Sequence, residues 1–200
     1  MSTSPDRPKP APRSGEVRWS WHPHPPRQPG EPLARAWLAA QLGRDVDALP
    51  LTRDARGRPQ LDGDLARWDC NWSHSGDGLL VALGEDVRVG IDLERLRPRA
   101  RALELAERFF TAGELAWLHA MPSTAVRDHA FLRLWCAKEA VLKAHGHGIS
   151  FGLDRLRFDQ FDGRLVLVEC DRALGHPEDW ELQELHPAAG YIGALAWRPR

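Results

Sequence analysis

Two short stretches of this chain carry side chains that could do phosphate chemistry together. Residues 90–94 read GIDLE and contain Asp92 and Glu94. Residues 135–143 read WCAKEAVLK and contain Glu139 between two lysines. If the fold brings the stretches together, three carboxylates can bind a hard divalent cation while a lysine binds a phosphate.

The first stretch has the pattern of a β-strand. Apolar residues at every second position of segment 87–93 predict a half-buried strand. Asp92 and Glu94 then project from one face, with Cα atoms about 7 Å apart. Two like charges so placed repel each other unless a positive charge lies between them. The alternative is an edge strand that presents an acidic pair to solvent.

The second stretch belongs to a predicted helix over residues 125–144. Its apolar arc is formed by Phe131, Leu134, Trp135, Val141 and Leu142. Lys138 falls within that arc, so it needs an anion, either a carboxylate or a ligand phosphate, and we predict a functional role for it. Glu139 and Lys143 lie four residues apart at the border of the arc. An ordinary surface ion pair would explain these two residues but not Lys138.

Two upstream segments offer further groups for binding anions. The segment 71–76, NWSHSG, precedes an apolar run at 79–83 that we predict to form a hairpin with the acidic strand. Ser73 and His74 supply hydrogen-bonding groups suited to phosphate or ribose, although a lone histidine is more often structural. Arg58, in a Gly-Arg-Pro turn, offers a guanidinium fork or is part of an ordinary loop.

In this order and spacing, the motifs GRP, NWSHSG, GIDLE and WCAKEAVLK resemble the 4'-phosphopantetheinyl transferases over residues 57–143. The length favours the longer, single-chain, Sfp-like branch. The resemblance implies an α+β fold of two similar α/β halves with pseudo-two-fold symmetry, in which antiparallel sheets pack with helices. We expect the halves at residues 16–97 and 98–200, after a disordered, Pro-rich tail at residues 1–15.

The resemblance implies an activity and roles for individual residues. The activity is Mg²⁺-dependent transfer of the 4'-phosphopantetheine moiety of coenzyme A to a serine of an apo acyl, peptidyl or polyketide carrier protein, releasing adenosine 3',5'-bisphosphate. The implied metal ligands are Asp92, Glu94 and Glu139. The coenzyme A contacts expected from the resemblance and from the helical arc are Arg35, Arg58, Ser73, His74, Lys138 and Lys143. The implied catalytic residues are Glu114, as general base for the carrier serine, with Glu139 and Lys143.

The residue types agree with this chemistry on their own terms. Attack on a pyrophosphate needs charge neutralised at the bridging and leaving oxygens, which a metal ion provides. Three carboxylates without a cysteine or histidine cluster favour Mg²⁺ or Mn²⁺ over zinc. A serine nucleophile also has to lose its proton, so a carboxylate base is plausible.

Glu114 has a second interpretation that needs no catalysis. Thr111 and Glu114 have the spacing of a capping box at the start of a helix. In that case the Glu114 side chain would bind the backbone at the helix N-terminus. The sequence leaves both readings open.

The composition limits the remaining possibilities. The 200 residues are 42% hydrophobic, which suits one domain or two small halves that share a core. A net charge of −1 gives no general attraction to nucleic acid or to a membrane. Three cysteines without metal-type spacing suit reduced thiols, so we predict a cytoplasmic protein. The resemblance to the longer, single-chain branch implies a monomer. Another metal-dependent phosphohydrolase and a non-catalytic coenzyme A or nucleotide-binding module are the alternative functions.

Flanking patterns complete the predicted elements. A strand is predicted at 17–21, and a helix at 32–42 with Leu33, Trp37 and Leu38 facing inward. Three further strands are predicted at 164–169, 180–185 and 191–197. The arginine-rich run at 95–101 is either a solvated loop or a surface that attracts an acidic carrier protein.

Overall fold

The computed structural model describes residues 16–200, so the tail predicted for residues 1–15 lies outside the described residues. In chain order the strands are β1 (Val17–Pro23), β2 (Leu51–Arg53), β3 (Pro59–Leu61), β4 (Trp68–Ser75), β5 (Gly78–Glu85), β6 (Val87–Arg95), β7 (Leu156–Phe161), β8 (Arg164–Cys170), β9 (Glu181–Leu185) and β10 (Tyr191–Pro199). The α-helices are α1 (Glu31–Leu42), α2 (Ala102–Phe109), α3 (Ala112–His119) and α4 (Thr124–His145). No helix in this described part is long and apolar enough to cross a bilayer.

The first three-stranded sheet has the order β1-β5-β4 and is antiparallel throughout. Helix α1 packs on it through Ala34, Leu38 and Ala39, which are buried. Leu33 was predicted to face inward, but it is 37% exposed because the buried stripe of the helix runs through the neighbouring positions 34 and 38.

The second sheet has the order β6-β10-β9, and α4 packs against β6 and β10. The side chain of Ser123 accepts a hydrogen bond from the Val126 amide and starts α4, and Gly146, with φ of 96°, ends it. The three strands predicted after residue 160 are present, and strand β7, which was not predicted, pairs with β8 in a separate hairpin.

The two sheets are built from the same succession of elements. Each sheet is built from a strand, a helix, a short hairpin and two more strands. In the first sheet this succession is β1, α1, β2–β3, β4 and β5. In the second it is β6, α4, β7–β8, β9 and β10, with α2 and α3 inserted before α4. The α+β fold with antiparallel sheets is therefore confirmed. The predicted division at residue 97 assigns β6 to the N-terminal half. In the structure, β6 is hydrogen-bonded to β10 of the other half. The division itself stays a prediction.

The predicted hairpin between the apolar run at 79–83 and the acidic strand is wrong. Strand β5 is the centre of its sheet, so β1 and β4 occupy both of its edges. The short connection at Asp86, which has a positive φ of 55°, instead carries the chain from the first sheet into the second. Strand β6 therefore pairs with β10, the last strand of the chain.

Side chains join the two sheets where β4 lies beside β6. Asp69, Asn71 and Ser75 of β4 accept hydrogen bonds from backbone amides of β6 at 2.8, 3.1 and 3.1 Å. These amides lie on the β6 edge that faces away from β10, where no backbone partner is available. Alternate residues of β4 thus take the place of a neighbouring strand, and they fix the position of the acidic strand.

Candidate active site

Gly90 allows helix α4 to approach strand β6 closely. A Cβ atom at this position would lie 2.1 Å from the Ala140 carbonyl oxygen and 2.4 Å from the Ala144 amide nitrogen. Because no side chain fits there, only glycine permits this separation. The close packing places Glu139 and Lys143 of α4 beside Asp92, two residues beyond Gly90.

Three carboxylates share this region and influence one another. Asp92 and Glu139 are each only 5% exposed, and the side chain of Glu94 is 19% exposed. Burial, followed by the negative charges of Asp92 and Glu94, raises the pKa of Glu139 to about 7, against the opposing charge of Lys143. Burial also raises the pKa of Glu94, partly countered by Arg99. The structure therefore brings the three predicted metal ligands into one electrostatically coupled group.

Lys143 and Ser73 meet at one oxygen of Asp92. The Lys143 Nζ atom donates to Asp92 Oδ1 at 2.6 Å and to Ser73 Oγ at 3.0 Å, and the Ser73 hydroxyl donates to the same carboxylate oxygen at 2.9 Å. Burial alone would lower the pKa of Lys143, but Asp92 and Glu139 raise it above its ordinary value. Lys143 therefore remains a cation at the centre of the acidic group.

The second oxygen of Asp92 provides a test of whether a cation fits here. Asp92 Oδ2 is enclosed and has no hydrogen-bond partner within residues 16–200. A buried carboxylate oxygen without a donor costs free energy, and metal coordination would satisfy it. As the described side chains are placed, no three acidic, histidine or cysteine groups form a metal cluster. The oxygen-only donor set nevertheless fits Mg²⁺ or Mn²⁺, and the ligand roles stay a prediction.

A cationic groove of about 260 Å³ adjoins Lys143. Its wall carries Arg53, Arg56 and Lys143, together with His147. Trp72 also lines the groove, and the Arg53 guanidinium lies 5.3 Å from the centre of its ring. The groove therefore combines positive charge with an aromatic face, which suits a ligand that has phosphates and a planar base.

Lys138 and Glu114 lie together in the interior, which corrects two predictions. Lys138 is 0% exposed and pairs with Glu114 Oε2 at 2.8 Å. Its Nζ also donates to the carbonyl oxygens of Leu153, at 2.7 Å, and Leu156. Lys138 therefore has protein acceptors for all its hydrogens, so it does not bind coenzyme A. The required anion is a carboxylate, not a ligand phosphate.

Glu114 forms the capping box rather than an accessible base. Its Oε2 accepts hydrogen bonds from the amide and hydroxyl of Thr111, and its Oε1 accepts from the Phe158 amide at 2.9 Å. At 2% exposure, its carboxylate is closed to a substrate hydroxyl. The capping interpretation is confirmed, and the prediction of Glu114 as general base is wrong because a base must reach the proton it removes.

Arg58 is a structural link between the two halves. Its guanidinium forms a two-pronged pair with Asp69, at 2.8 and 2.6 Å. The remaining N–H groups donate to the carbonyl oxygens of Pro59, Val89 and Lys143. All five N–H donors are thereby used within the protein, so the prediction of a direct phosphate contact is corrected. Arg58 holds the end of α4 against β3 and β6.

Arg35 and His74 are the remaining predicted coenzyme A contacts. Arg35 donates to the carbonyl oxygens of Leu49 and Leu51 at 2.9 and 3.2 Å, which ties α1 to β2, and it pairs with Glu31, so its role at the nucleotide end stays a prediction. His74 is exposed and follows Ser73 on the strand, so it points to the opposite face and lies near His24 instead. Ser73 is brought to the acidic group and His74 is not.

Three features of the site were not predicted from the sequence. Arg53 and Arg56 line the groove, Arg99 contacts Glu94, and Asp69 and Asn71 orient β6. A signal for the last pair existed. Polar residues occupy every second position from 69 to 75, and this alternation could have indicated a strand whose polar side binds another element.

Comparison with known proteins agrees with this geometry. The model of the 4'-phosphopantetheinyl transferase superfamily matches residues 88–196, which include α4 and all of β6 except its first residue, with all three coupled carboxylates. The chain belongs to this superfamily. It is 32% identical to the 4'-phosphopantetheinyl transferase HetI of Nostoc sp., over 86% of this chain and 72% of the relative.

Two more 4'-phosphopantetheinyl transferases show the same relationship. A putative enzyme of Synechocystis sp. is 37% identical over 82% of this chain and 69% of its own length. The enzyme psf-1 of Bacillus pumilus is 37% identical over 62% of this chain and 51% of its own length. Among solved structures, holo-[acyl-carrier-protein] synthase of Helicobacter pylori in complex with coenzyme A aligns with a TM-score of 0.41 and 16% identity, over 54% of this chain and 96% of that chain.

Proposed function

We propose that this protein transfers the 4'-phosphopantetheine moiety of coenzyme A to a serine of an apo acyl, peptidyl or polyketide carrier protein. The observation that carries the proposal is the convergence of Asp92, Glu94, Glu139 and Lys143 beside a cationic groove. Membership in the 4'-phosphopantetheinyl transferase superfamily supports it. The reaction needs a place for a pyrophosphate, and positive and negative groups are arranged here to bind one.

The proposed reaction is a phosphoryl-type displacement. The carrier serine oxygen forms a bond to the phosphorus that bears the pantetheine arm, and the bond from that phosphorus to the bridging oxygen breaks. Adenosine 3',5'-bisphosphate leaves with the bonding electrons, and the serine proton passes to a base. Because Glu114 is enclosed, we assign the role of base to the acidic group itself or to a water molecule beside it.

Asp92, Glu94 and Glu139 would hold a Mg²⁺ or Mn²⁺ ion. When bound, such an ion neutralises charge on the pyrophosphate oxygens. Lys143 adds a fixed positive charge at the same place, and Ser73 orients Asp92 through its hydroxyl. The unsatisfied Asp92 Oδ2 supports this role, because a metal ligand needs a free lone pair that faces the ion.

The cationic groove is the proposed place for the nucleotide end of coenzyme A. Arg56 would bind its phosphates, since guanidinium groups pair well with phosphate oxygens. Arg53, which pairs with Glu31 and donates to the Gly57 carbonyl oxygen, would add its remaining N–H groups. Trp72 would stack on the adenine, as aromatic side chains commonly do with nucleobases. Lys143 lines the groove and also contacts Asp92, which suits a pyrophosphate contact.

Incubation with coenzyme A, Mg²⁺ and an apo carrier protein, followed by intact-mass spectrometry of the carrier, tests the proposal. We expect the carrier to gain one phosphopantetheine group, and the Asp92→Asn variant to lose this activity. Hydrolysis of coenzyme A without a modified carrier would indicate a phosphohydrolase instead. Tight binding without turnover would indicate a non-catalytic coenzyme A or nucleotide-binding module.

The finer assignments are also part of the proposal. A cytoplasmic location, a monomeric state, and the absence of nucleic-acid and membrane partners stay predictions from the sequence. A role in fatty-acid, polyketide or nonribosomal peptide biosynthesis follows from the proposed carrier substrate. Assays with carriers of each type would identify the pathway.

A further inference from the structure

Arg99 differs from the other arginines of the basic run at residues 95–101. Arg95 and Arg101 are largely exposed, with 57% and 75% of their side chains accessible. The side chain of Arg99 is 21% exposed and turns inward to pair with Glu94. It contacts one of the three coupled carboxylates rather than solvent.

The loop that follows β6 is fixed so that Arg99 reaches Glu94. The Arg99 backbone amide donates to Asp128 Oδ2 of α4 at 3.0 Å, which anchors the loop. Not all N–H groups of the Arg99 guanidinium are hydrogen-bonded. Its Nε atom is buried without a hydrogen-bond partner in the described part of the chain. Arg58, by contrast, uses every N–H group. Arg99 is therefore a cation that is placed against the site and is not locked there.

Two of the three carboxylates of the acidic group each contact a protein cation. Lys143 contacts Asp92, and Arg99 contacts Glu94. Like charges that are gathered in a partly buried site repel one another unless cations compensate them. A divalent ion that binds Glu94 competes with Arg99 for the charge of that carboxylate, whose Oε2 accepts from both Arg99 and Ser75.

We propose that Arg99 is a built-in counterion that holds Glu94 in the metal-free protein and is displaced when a divalent cation binds. Arg99 thereby lowers the affinity of the site for that cation and keeps the carboxylates together in its absence. A neighbouring groove of about 230 Å³, lined by Pro98, Ala102 and Asp128 among others, gives the displaced side chain room. This inference rests on the proposed metal-dependent function.

Titration of the 200-residue protein with Mn²⁺ alone tests the inference without any measurement of activity, because electron paramagnetic resonance reports the free ion. We expect Arg99→Gln to bind Mn²⁺ about fivefold more tightly than the wild type, because the competing cation is gone. Arg99→Lys retains a cation and should stay within about twofold of the wild type. Arg101→Gln, whose exposed partner is Glu104, is the matched control and should be unchanged.

A stability measurement gives a second readout. In EDTA, Arg99→Gln should melt at a lower temperature than the wild type, and saturating Mn²⁺ should reduce that difference. Unchanged or weaker Mn²⁺ binding by Arg99→Gln would overturn the inference. If the wild type binds Mn²⁺ and modifies the carrier while Arg99→Gln behaves identically, only the role of Arg99 fails. If the wild type does neither, the proposed function fails as well, and the inference with it.

Discussion

The buried pair of Glu114 and Lys138 supports a sharp prediction about stability and catalysis. In Glu114→Gln, the carboxylate that faces the fully buried Lys138 becomes a neutral amide. The variant loses the ion pair at 2.8 Å and places an NH₂ group among the donors of Thr111 and Phe158. The substitution changes little in volume, so the expected effect is electrostatic.

The magnitude follows from the surroundings of Lys138. Removal of one partner from a buried ion pair costs about 3–5 kcal/mol. Burial lowers the pKa of Lys138, and two carbonyl oxygens remain as acceptors, so we expect a value near the lower limit, about 3 kcal/mol. In a chain of 200 residues, each kcal/mol shifts the melting temperature by about 2–4 °C. The melting temperature should therefore fall by about 6–12 °C.

Circular dichroism melting and carrier modification rates, both in the same buffer, measure the two effects. At a temperature well below the transition, kcat/KM of Glu114→Gln should stay within about threefold of the wild type. Glu107→Gln is the control, because Glu107 is an exposed glutamate on α2. The double variant Glu114→Gln, Lys138→Met should recover part of the lost stability, since it leaves no unpaired buried charge.

The opposite pattern would refute this reasoning. If Glu114→Gln melted like the wild type while kcat fell by about 10²-fold or more, Glu114 would be a general base after all. The capping box would then be incidental to its role.

Three other variants test the site from different directions. Gly90→Ala places a Cβ atom 2.1 Å from the Ala140 carbonyl oxygen, so α4 must shift. We expect the free energy of unfolding, measured in urea, to fall by about 1–3 kcal/mol, and the transfer rate to fall as well. Wild-type stability and rate would contradict the positioning role of Gly90. The pKa of Glu139 is raised from 4.5 to about 7, so the folded state binds this proton more tightly than the unfolded state does. In EDTA, the free energy of unfolding should therefore fall by about 2–3 kcal/mol as the pH rises from 4.5 to 7.5. Glu139→Gln should remove most of this pH dependence. The double variant Arg53→Gln, Arg56→Gln should raise KM for coenzyme A several-fold and leave KM for the carrier unchanged. The rise should be larger at low salt, where the lost charges are screened less. An equal rise in both KM values would count against the groove as the nucleotide site.

Local patterns in the sequence predicted which side chains of β6 and α4 share a face. The alternation in β6 and the helical period of α4 depend on nearby residues only, so they indicated which side chains share a face. The capping box at Thr111 was equally local. Bringing β6 and α4 together needed Gly90, whose position within the acidic motif permits close packing.

The errors came from interactions between residues distant in the sequence. The pairing of β6 with β10 joins the middle of the chain to its end, whereas adjacency had favoured a hairpin with β5. The helical period indicated that Lys138 needs an anion, but it could not identify Glu114, 24 residues earlier, as that anion. Arg58 likewise has the residue type of a phosphate ligand, and only the folded positions of Asp69 and three backbone carbonyl oxygens show that its donors are already used.

Crystals of the wild-type protein grown with Mn²⁺ and coenzyme A would test the metal site most directly, through the anomalous signal of manganese. We predict one strong peak with a carboxylate oxygen from each of Asp92, Glu94 and Glu139 at about 2.2 Å. A manganese peak bound elsewhere, or one that Glu139 does not contact, would contradict the account.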